Sequence, residues 1–526
     1  MDQNKASGSY YTPYGLIDFM DKYLQKNRQD FSNVLEPSAG DGRFLSVLLK
    51  ESKRVKAIEV FEDKVETILK NYSNEKLQVQ KINFLDYAKS SDEKYSLIIG
   101  NPPYISPKNM EKDDVKKARE ICESENVATS IMQNMWLAFV VGSCKLLKKN
   151  GTIFFVLPME FLQVQYAEKL REYLEKKFNT IHILTFETSF FPDIEQDTCL
   201  VYLTNRVNET PHILYEVYEN EKSFSPIFRN VIKKNKPLKK WSNAILSDEE
   251  IALLKTRSSN YGLVRDKGIS APGIVTGGNK YFILTDQQVR EYECEEFVIP
   301  ILQKSSYISS NTIVLDEMLF EDLRRRNKPM FLLNLSNVDI SEMPMGLKSY
   351  LEWAGRQEYR EVKLKERYKC KNRKPWYGVS IVNKGDVIFF KRYHIVPRVY
   401  INQVDIHTTD AGYHVRLNEG IDKDSFVFCF YNSLTLAQCE FLGRYYGGGV
   451  SELVPSEFKD LRVPYYKMDK SDVERLNKMF HDKEDIQKIV AFVNEKTIAN
   501  DMTEQDVRKI EDIRRKLIGR RCRGKE

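Results

Sequence analysis

The sequence predicts an α/β fold: a doubly wound, mainly parallel sheet with an antiparallel strand at its edge, followed by a second domain of mixed α+β character. Three observations predict it. Up to about residue 205, short apolar runs alternate with helical patterns, the rhythm of strands returning through crossover helices. Two of those runs, YSLIIG and GTIFFVLP, are almost continuously apolar, as strands covered on both faces must be. Beyond about residue 245 the rhythm gives way to short strands among Gly, Tyr and Asn, with no repeat.

Taken in order, YYTPYGLIDFMDKYL reads as a helix with Thr12 as N-cap and Pro13 as first helical residue. Leu16, Ile17, Phe19, Met20, Tyr23 and Leu24 form its apolar face. VLEP at 34, FLSVLL at 44, VKAIEV at 55, VETIL, VQKINF and YSLIIG then continue the alternation. Met132 to Leu147 is a helical stretch leading into GTIFFVLP, and Tyr166 to Lys177 is another. IHILTF and TCLVYL frame the loop ETSFFPDIEQD and read as an antiparallel pair at the sheet edge. The pattern loosens near 205–245, with Pro211, Pro226, Pro237 and the basic run KKNKPLKK, so the boundary falls between residues 1–240 and 241–526. The last 45 or so residues return to charged helical patterning and end in RRKLIGRRCRGKE, read either as a frayed, solvated terminus or as a polyanion-contacting arm.

Two large domains suit 526 residues, and 42% hydrophobic with 12% aromatic residues supplies packed cores. The first residues lack a secretory pattern and no apolar run reaches membrane-spanning length, so a cytoplasmic protein without a membrane partner is expected. Eight scattered cysteines form no C-x-x-C pair; reduced, mostly buried thiols are expected, and no metal site. Net charge is only +6, yet the segment from Arg360 to Lys374 holds eight cations against two glutamates, an excess equal to that of the whole chain.

VLEPSAGDGRFLSVLL reads as strand, tight turn and helix, with Gly40 and Gly42 where the chain turns and a ligand approaches the backbone. The third glycine of a dinucleotide fingerprint is missing, so a nucleoside cofactor without a pyrophosphate fits better. That absence also argues against a nicotinamide-dependent oxidoreductase. Nineteen residues after Gly40, Glu59 ends the next strand, where a carboxylate can accept hydrogen bonds from both ribose hydroxyls. Asn83 and Phe84 end a third strand; the amide oxygen suits an adenine amino group and the ring suits its face. The Thr12 hydroxyl can serve the carboxylate of an amino-acid moiety.

The most specific feature is Asn101-Pro102-Pro103-Tyr104 directly after YSLIIG. An exocyclic amino group on adenine is planar and a poor nucleophile. The Asn101 side-chain oxygen and the Pro102 carbonyl can accept its two N–H hydrogens and localise its lone pair. The prolines hold those acceptors rigid, and Tyr104 offers a ring on which a base drawn from a duplex can stack.

In the order TP, EPSAGDG, E, NF, NPPY, GTIFFVLP and FFP, the first 210 or so residues resemble the gamma-class (TaqI-type) N6-adenine-specific DNA methyltransferases. The resemblance implies a Rossmann-like, S-adenosyl-L-methionine-dependent catalytic domain and a C-terminal target-recognition domain around duplex DNA. It implies that Thr12, Glu36, Ala39, Gly40, Glu59, Val60, Asn83, Phe84, Asn101 and Pro103 line the cofactor pocket. Asn101, Pro102 and Tyr104 would hold the flipped adenine, with Phe191 on its other face. Asn rather than Ser at 101 points to adenine N6. The family usually has Asp where this chain has Asn83, which leaves the cofactor adenine to Asn83 or Asp86.

Target recognition falls to residues 241–526. KERYKCKNRKPWYG sets Lys363, Lys365, Arg367, Lys369, Lys371, Arg373 and Lys374 beside Trp376 and Tyr377, as phosphate contacts next to stacking side chains would be; a solvated surface is the alternative. The downstream FLGRYYGGGVSELVPSEFKDLRVPY resembles the end of such domains. The expected activity is site-specific methylation of double-stranded DNA, the alternative being an NPPY-type methyltransferase acting on RNA or protein glutamine. A non-catalytic DNA-binding subunit is disfavoured by Glu59 and the NPPY loop. No nuclease is read in the chain, so a monomer working beside a separately encoded restriction endonuclease is expected, in the cytoplasm at the nucleoid.

Overall fold

The computed structural model describes residues 11–127, 133–188, 197–205, 210–234, 238–308, 311–359, 362–446 and 448–522. The chain divides into two compact units. One comprises Met1–Glu249, Arg444–Gly449 and Gly519–Glu526, the other Glu250–Gly443 and Val450–Ile518.

The first unit is built on a nine-stranded sheet. Its strands are β1 (Val34–Glu36), β2 (Val55–Glu59), β3 (Leu77–Lys81), β4 (Tyr95–Gly100), β5 (Leu147–Pro158), β6 (Thr180–Phe186), β7 (Thr198–Thr204), β8 (His212–Tyr218) and β9 (Phe228–Lys233). They are ordered β3-β2-β1-β4-β5-β7-β6-β8-β9. β1 to β5 run parallel, so their carboxyl ends open on one side of the sheet, at the loops after residues 36, 59, 81 and 100. β7 runs antiparallel to both β5 and β6. The pair read at the sheet edge is therefore internal: β8 adds parallel to β6 and β9 antiparallel to β8. The loosened stretch at 205–245 thus carries two strands, and the antiparallel edge strand is β9.

The helices cover the sheet on both faces. α1 (Tyr14–Lys26) buries Leu16, Ile17, Phe19, Met20, Tyr23 and Leu24, the whole expected apolar face. Phe19 meets Phe186 edge-on at 5.0 Å and Tyr218 at 4.9 Å. The Tyr23 hydroxyl lies 2.6 Å from His182 Nδ1. The expected cap is corrected: Pro13 stands at the cap position, in extended backbone, with no side-chain cap bond. The buried Thr12 instead offers its carbonyl to Arg43 at 3.3 Å. α2 (Leu45–Glu51), α3 (Glu62–Asn71), α4 (Phe84–Ser90), α5 (Lys112–Ser124) and α6 (Met135–Leu146) follow. α6 is apolar almost all round and almost wholly buried, as expected for a helix between a sheet and other helices. α7 (Glu168–Lys177) is fixed by its buried Arg171, which donates to the carbonyls of Phe161, Val164 and Lys239.

Two later segments complete this unit. Gln163 donates to the Tyr445 carbonyl and accepts the Tyr445 N–H at 3.1 Å, so one buried side chain imitates a strand partner. The C-terminal helix α8 (Glu504–Cys522) ends with Arg520 and Arg521 buried. Arg520 donates to the Ser242 carbonyl at 2.9 Å and Asn243 Oδ1 at 2.7 Å, and Arg521 to the Gly449 carbonyl at 2.5 Å. The reading of the tail as a frayed end is thereby corrected as far as residue 522, and Arg520 and Arg521 are taken up by the fold and not by a polyanion.

The second unit holds a five-stranded sheet of residues 268–272, 412–417, 387–390, 398–402 and 314–315, and a four-stranded sheet of 283–284, 331–333, 298–302 and 407–408. Phe389, Tyr413, Phe430 and Phe458 centre one core. Trp376 and Tyr377 pack with a second, around Phe282, Leu347 and Ala354. This corrects their reading as stacking side chains: Tyr377 is buried, and the Trp376 ring stands 3.1 Å from where a Cβ on Gly355 would be.

Candidate active site

The loop after β1 begins at Pro37, which ends the strand, and turns at Gly40 (φ 59°) and Gly42 (φ 81°). A side chain at Gly42 would also meet Ile68, Leu45 and Tyr72 at 3.1–3.2 Å, so the turn depends on glycine. Glu59, at the end of β2, fixes this loop. One carboxylate oxygen accepts the Gly40 N–H at 2.8 Å, and the other accepts those of Val60 and Phe61 at 2.8 and 3.0 Å. Carboxylate oxygens have about four acceptor sites in all, so one remains for a ligand hydroxyl.

These groups line a cavity of about 410 Å³. Of the expected cofactor residues, Gly40, Glu59, Val60, Asn83, Phe84, Asn101 and Pro103 are in its wall, with Pro102 beside them. Thr12, Glu36 and Ala39 are buried next to it without lining it. Burial, reinforced by the Glu59 and Asp41 carboxylates, pushes the Glu36 carboxyl well above the usual range. Its Oε2 has no hydrogen-bond partner among the described residues. A buried acid with one orphaned oxygen, next to a cavity that Gly40 lines, suits a ligand carrying an ammonium group, and the Glu59 acceptor suits a ribose. The site thus fits S-adenosylmethionine.

β4 delivers Asn101, Pro102 and Pro103 into the same wall, while Tyr104 does not line the cavity. The Ser38 hydroxyl donates to the Asn101 carbonyl at 3.1 Å, tying this loop to the one after β1. Tyr104 donates its hydroxyl to the Val156 carbonyl on β5 at 3.1 Å, and burial holds that hydroxyl well above its ordinary pKa. The ring, anchored at its far end, is itself only partly covered. Phe191 lies outside the described residues.

Asn83 departs from expectation. Its Oδ1 accepts the Leu85 N–H at 2.9 Å, capping α4, while its Nδ2 donates to Asp114 Oδ1 at 2.9 Å. The alternative, Asp86, is paired with Lys117 at 2.9 Å and is not in the cavity wall. Phe84 lines the cavity with its ring against Phe139 at 4.6 Å. The wall also contains residues that no motif singled out, among them Tyr11, Phe61, Ile105, Asp114 and Met135. Phe61 is visible as the residue two past Glu59; Asp114 and Met135 come from α5 and α6, whose placement depends on packing.

Two family models match in succession. "Eco57I restriction-modification methylase" covers residues 31–191, and "Type II methyltransferase M.Eco57I, C-terminal domain" covers 238–498. "Type II methyltransferase M.AccI" of Acinetobacter calcoaceticus is 23% identical over 519 residues, spanning 91% of this chain and 89% of that protein. The chain belongs to the type II methyltransferases. "Type II methyltransferase M.HincII" of Haemophilus influenzae is 26% identical over 192 residues, 36% of either protein. In fold, the methyltransferase resembles the type IIL restriction-modification enzyme MmeI, at 12% identity, with a TM-score of 0.58 over 96% of this chain and 75% of that one. S-adenosylmethionine is the methyltransferase's cofactor, as the family and the fit of the cavity require.

In the second unit, the basic segment divides. Arg367 donates to the Gly277 carbonyl at 2.9 Å, and Arg373 to those of Thr276 and Val275 at 2.6 and 2.7 Å. These two arginines pin the 275–277 loop. Lys363, Lys365, Lys369, Lys371 and Lys374 are exposed, and so is Tyr368.

Proposed function

We propose that this methyltransferase methylates the N6 amino group of an adenine flipped out of double-stranded DNA at a specific sequence. The observation that carries the reading is Asn101-Pro102-Pro103 at the tip of β4, in the wall of the cavity that Glu59 and the glycine turn also line. A donor seat and a pair of amide-type acceptors thus share one space. The cofactor supplies an electrophilic methyl group on a sulfonium. Everything else is done by this chain. The Asn101 side-chain oxygen and the Pro102 carbonyl accept the two N–H hydrogens of the amino group and raise electron density on its nitrogen. Proline rigidity keeps the acceptors aligned before the base arrives. Tyr104, held by Val156, offers the stacking surface that replaces the lost neighbours in the duplex.

A family model and a relative named for restriction and modification, and the similar MmeI structure in complex with DNA, favour DNA over the RNA or protein-glutamine alternative. The exposed lysines between 363 and 374 supply phosphate contacts, and residues 241–526 supply target recognition to the catalytic part, 1–240. The protein acts as a monomer on nucleoid DNA in the cytoplasm, beside a separately encoded endonuclease. Purified protein with radiolabelled S-adenosylmethionine and unmethylated duplex DNA tests the reaction. Labelled N6-methyldeoxyadenosine is the expected product after digestion. Label in N4-methylcytosine, in RNA or in protein instead would overturn the reading.

A further inference from the structure

The cavity wall contains two carboxylates that no strand tip supplies, Glu111 and Asp114, and only Asp114 is tied to the tip of β3. Asp114, on α5, accepts the Asn83 amide through Oδ1 at 2.9 Å. Its neighbours Asp113 and Asp86 are the ones that pair with Lys117; Asp114 forms no ion pair among the described residues. One of the two acceptor sites of the Asn83 oxygen is taken by the cap of α4, and the amide is held in place by it. The Asn83–Asp114 pair therefore presents the cavity with a carboxylate whose second oxygen is uncommitted, next to Phe84 and Ile82. A carboxylate only accepts hydrogen bonds, and an accepted hydrogen bond to an ionised group is about twice as strong as a neutral one.

We infer that Asp114, oriented by the Asn83 amide, is the acceptor for the 6-amino group of the cofactor's adenine and so selects adenine over 6-oxo purines. The inference rests on the reading of this cavity as the cofactor seat. Glu59 stands at the neighbouring strand tip, so a nucleoside whose ribose reaches Glu59 lays its base toward the tip of β3. A purine carrying oxygen at position 6 would set one acceptor against another and leave buried lone pairs unsatisfied, the situation sites discriminate against most strongly.

The test is a double-mutant cycle between protein and ligand, read as equilibrium binding by calorimetry on the full chain. The ligands are S-adenosylhomocysteine and its analogue with unsubstituted purine in place of adenine. The proteins are the natural chain, Asp114→Ala and Glu111→Ala. The expected result is that Asp114→Ala weakens S-adenosylhomocysteine by about tenfold and leaves the purine analogue unchanged. Equal weakening of both ligands, or of neither, would overturn the inference, as would transfer of the effect to Glu111→Ala, because Glu111 also lines the cavity. If the natural chain binds neither ligand, the reading of the cavity fails as well, and the two failures are distinguished by that control.

Discussion

On the proposed reading, Asn101 and Tyr104 divide the work of the loop after β4, and their substitutions should separate accordingly. Asn101→Ala removes one of two acceptors and should lower kcat by about 100-fold or more, with an unchanged melting temperature. Tyr104→Phe keeps the ring and loses the bond to the Val156 carbonyl, so most activity should remain. Tyr104→Ala should cost about 1–3 kcal/mol of base stacking, read as a raised KM for duplex DNA in steady-state kinetics. Equal activity of the Phe and Ala variants would show that the ring does not carry the base. At this scale the sequence displays the residues whose positions a strand end fixes, such as Glu59 and Asn101. It does not display Asp114, because the contact with Asn83 spans 31 residues and depends on how α5 packs. Nor does spacing reveal that Trp376 and Tyr377 are core residues, since aromatic rings among cations look alike whether buried or exposed.

At the scale of elements, β1, β4 and the GTIFFVLP part of β5 are legible because buried parallel strands are continuous apolar runs, and β2 and β3 are legible from their alternation with helical stretches. β8 and β9 are not, since β9 alternates exposed and covered residues and β8 carries a buried Glu216 among its apolar residues. In the second unit, two buried histidines link neighbouring strands. His414 accepts the Thr408 N–H at 2.8 Å through Nε2, and its Nδ1 lies 2.9 Å from the Asn383 carbonyl, which fixes the neutral tautomer. His407 lies 5.5 Å from His414, ring to ring. Burial first, and then the neighbouring His414 and Lys384, lower its pKa from 6.5 to about 4. The unfolded chain therefore takes up the His407 proton first. Stability from this group is fully present above about pH 6.5 and is lost as pH falls toward 4, by on the order of 3 kcal/mol. His407→Gln should flatten the dependence of melting temperature on pH across that window. A variant whose profile parallels the natural chain's would show that His407 does not titrate there.

For the whole molecule, the chain divides into two units and is matched by two successive family models, which on the proposed reading correspond to a catalytic part and a recognition part. The fold of the second was not legible, because its strands are short and its sheets join segments far apart in the chain, such as 268–272 with 412–417. Its exposed lysines belong to this scale because, on the proposed reading, they act through duplex charge. Replacing Lys365, Lys369 and Lys371 with Ala should weaken binding to all duplexes alike. The slope of log affinity against log salt should become shallower by about 0.9 for each phosphate left without its cation; an unchanged slope would move the phosphate-binding surface elsewhere. The most direct test of the whole is single-molecule sequencing of DNA from cells expressing the natural chain or Asn101→Ala. The expected result is N6-methyladenine at one recurrent sequence with the natural chain and none with the variant. Absence of the mark in both, with folded and cofactor-competent protein, or its persistence in the variant, would contradict the assignment of the NPPY loop as the adenine clamp.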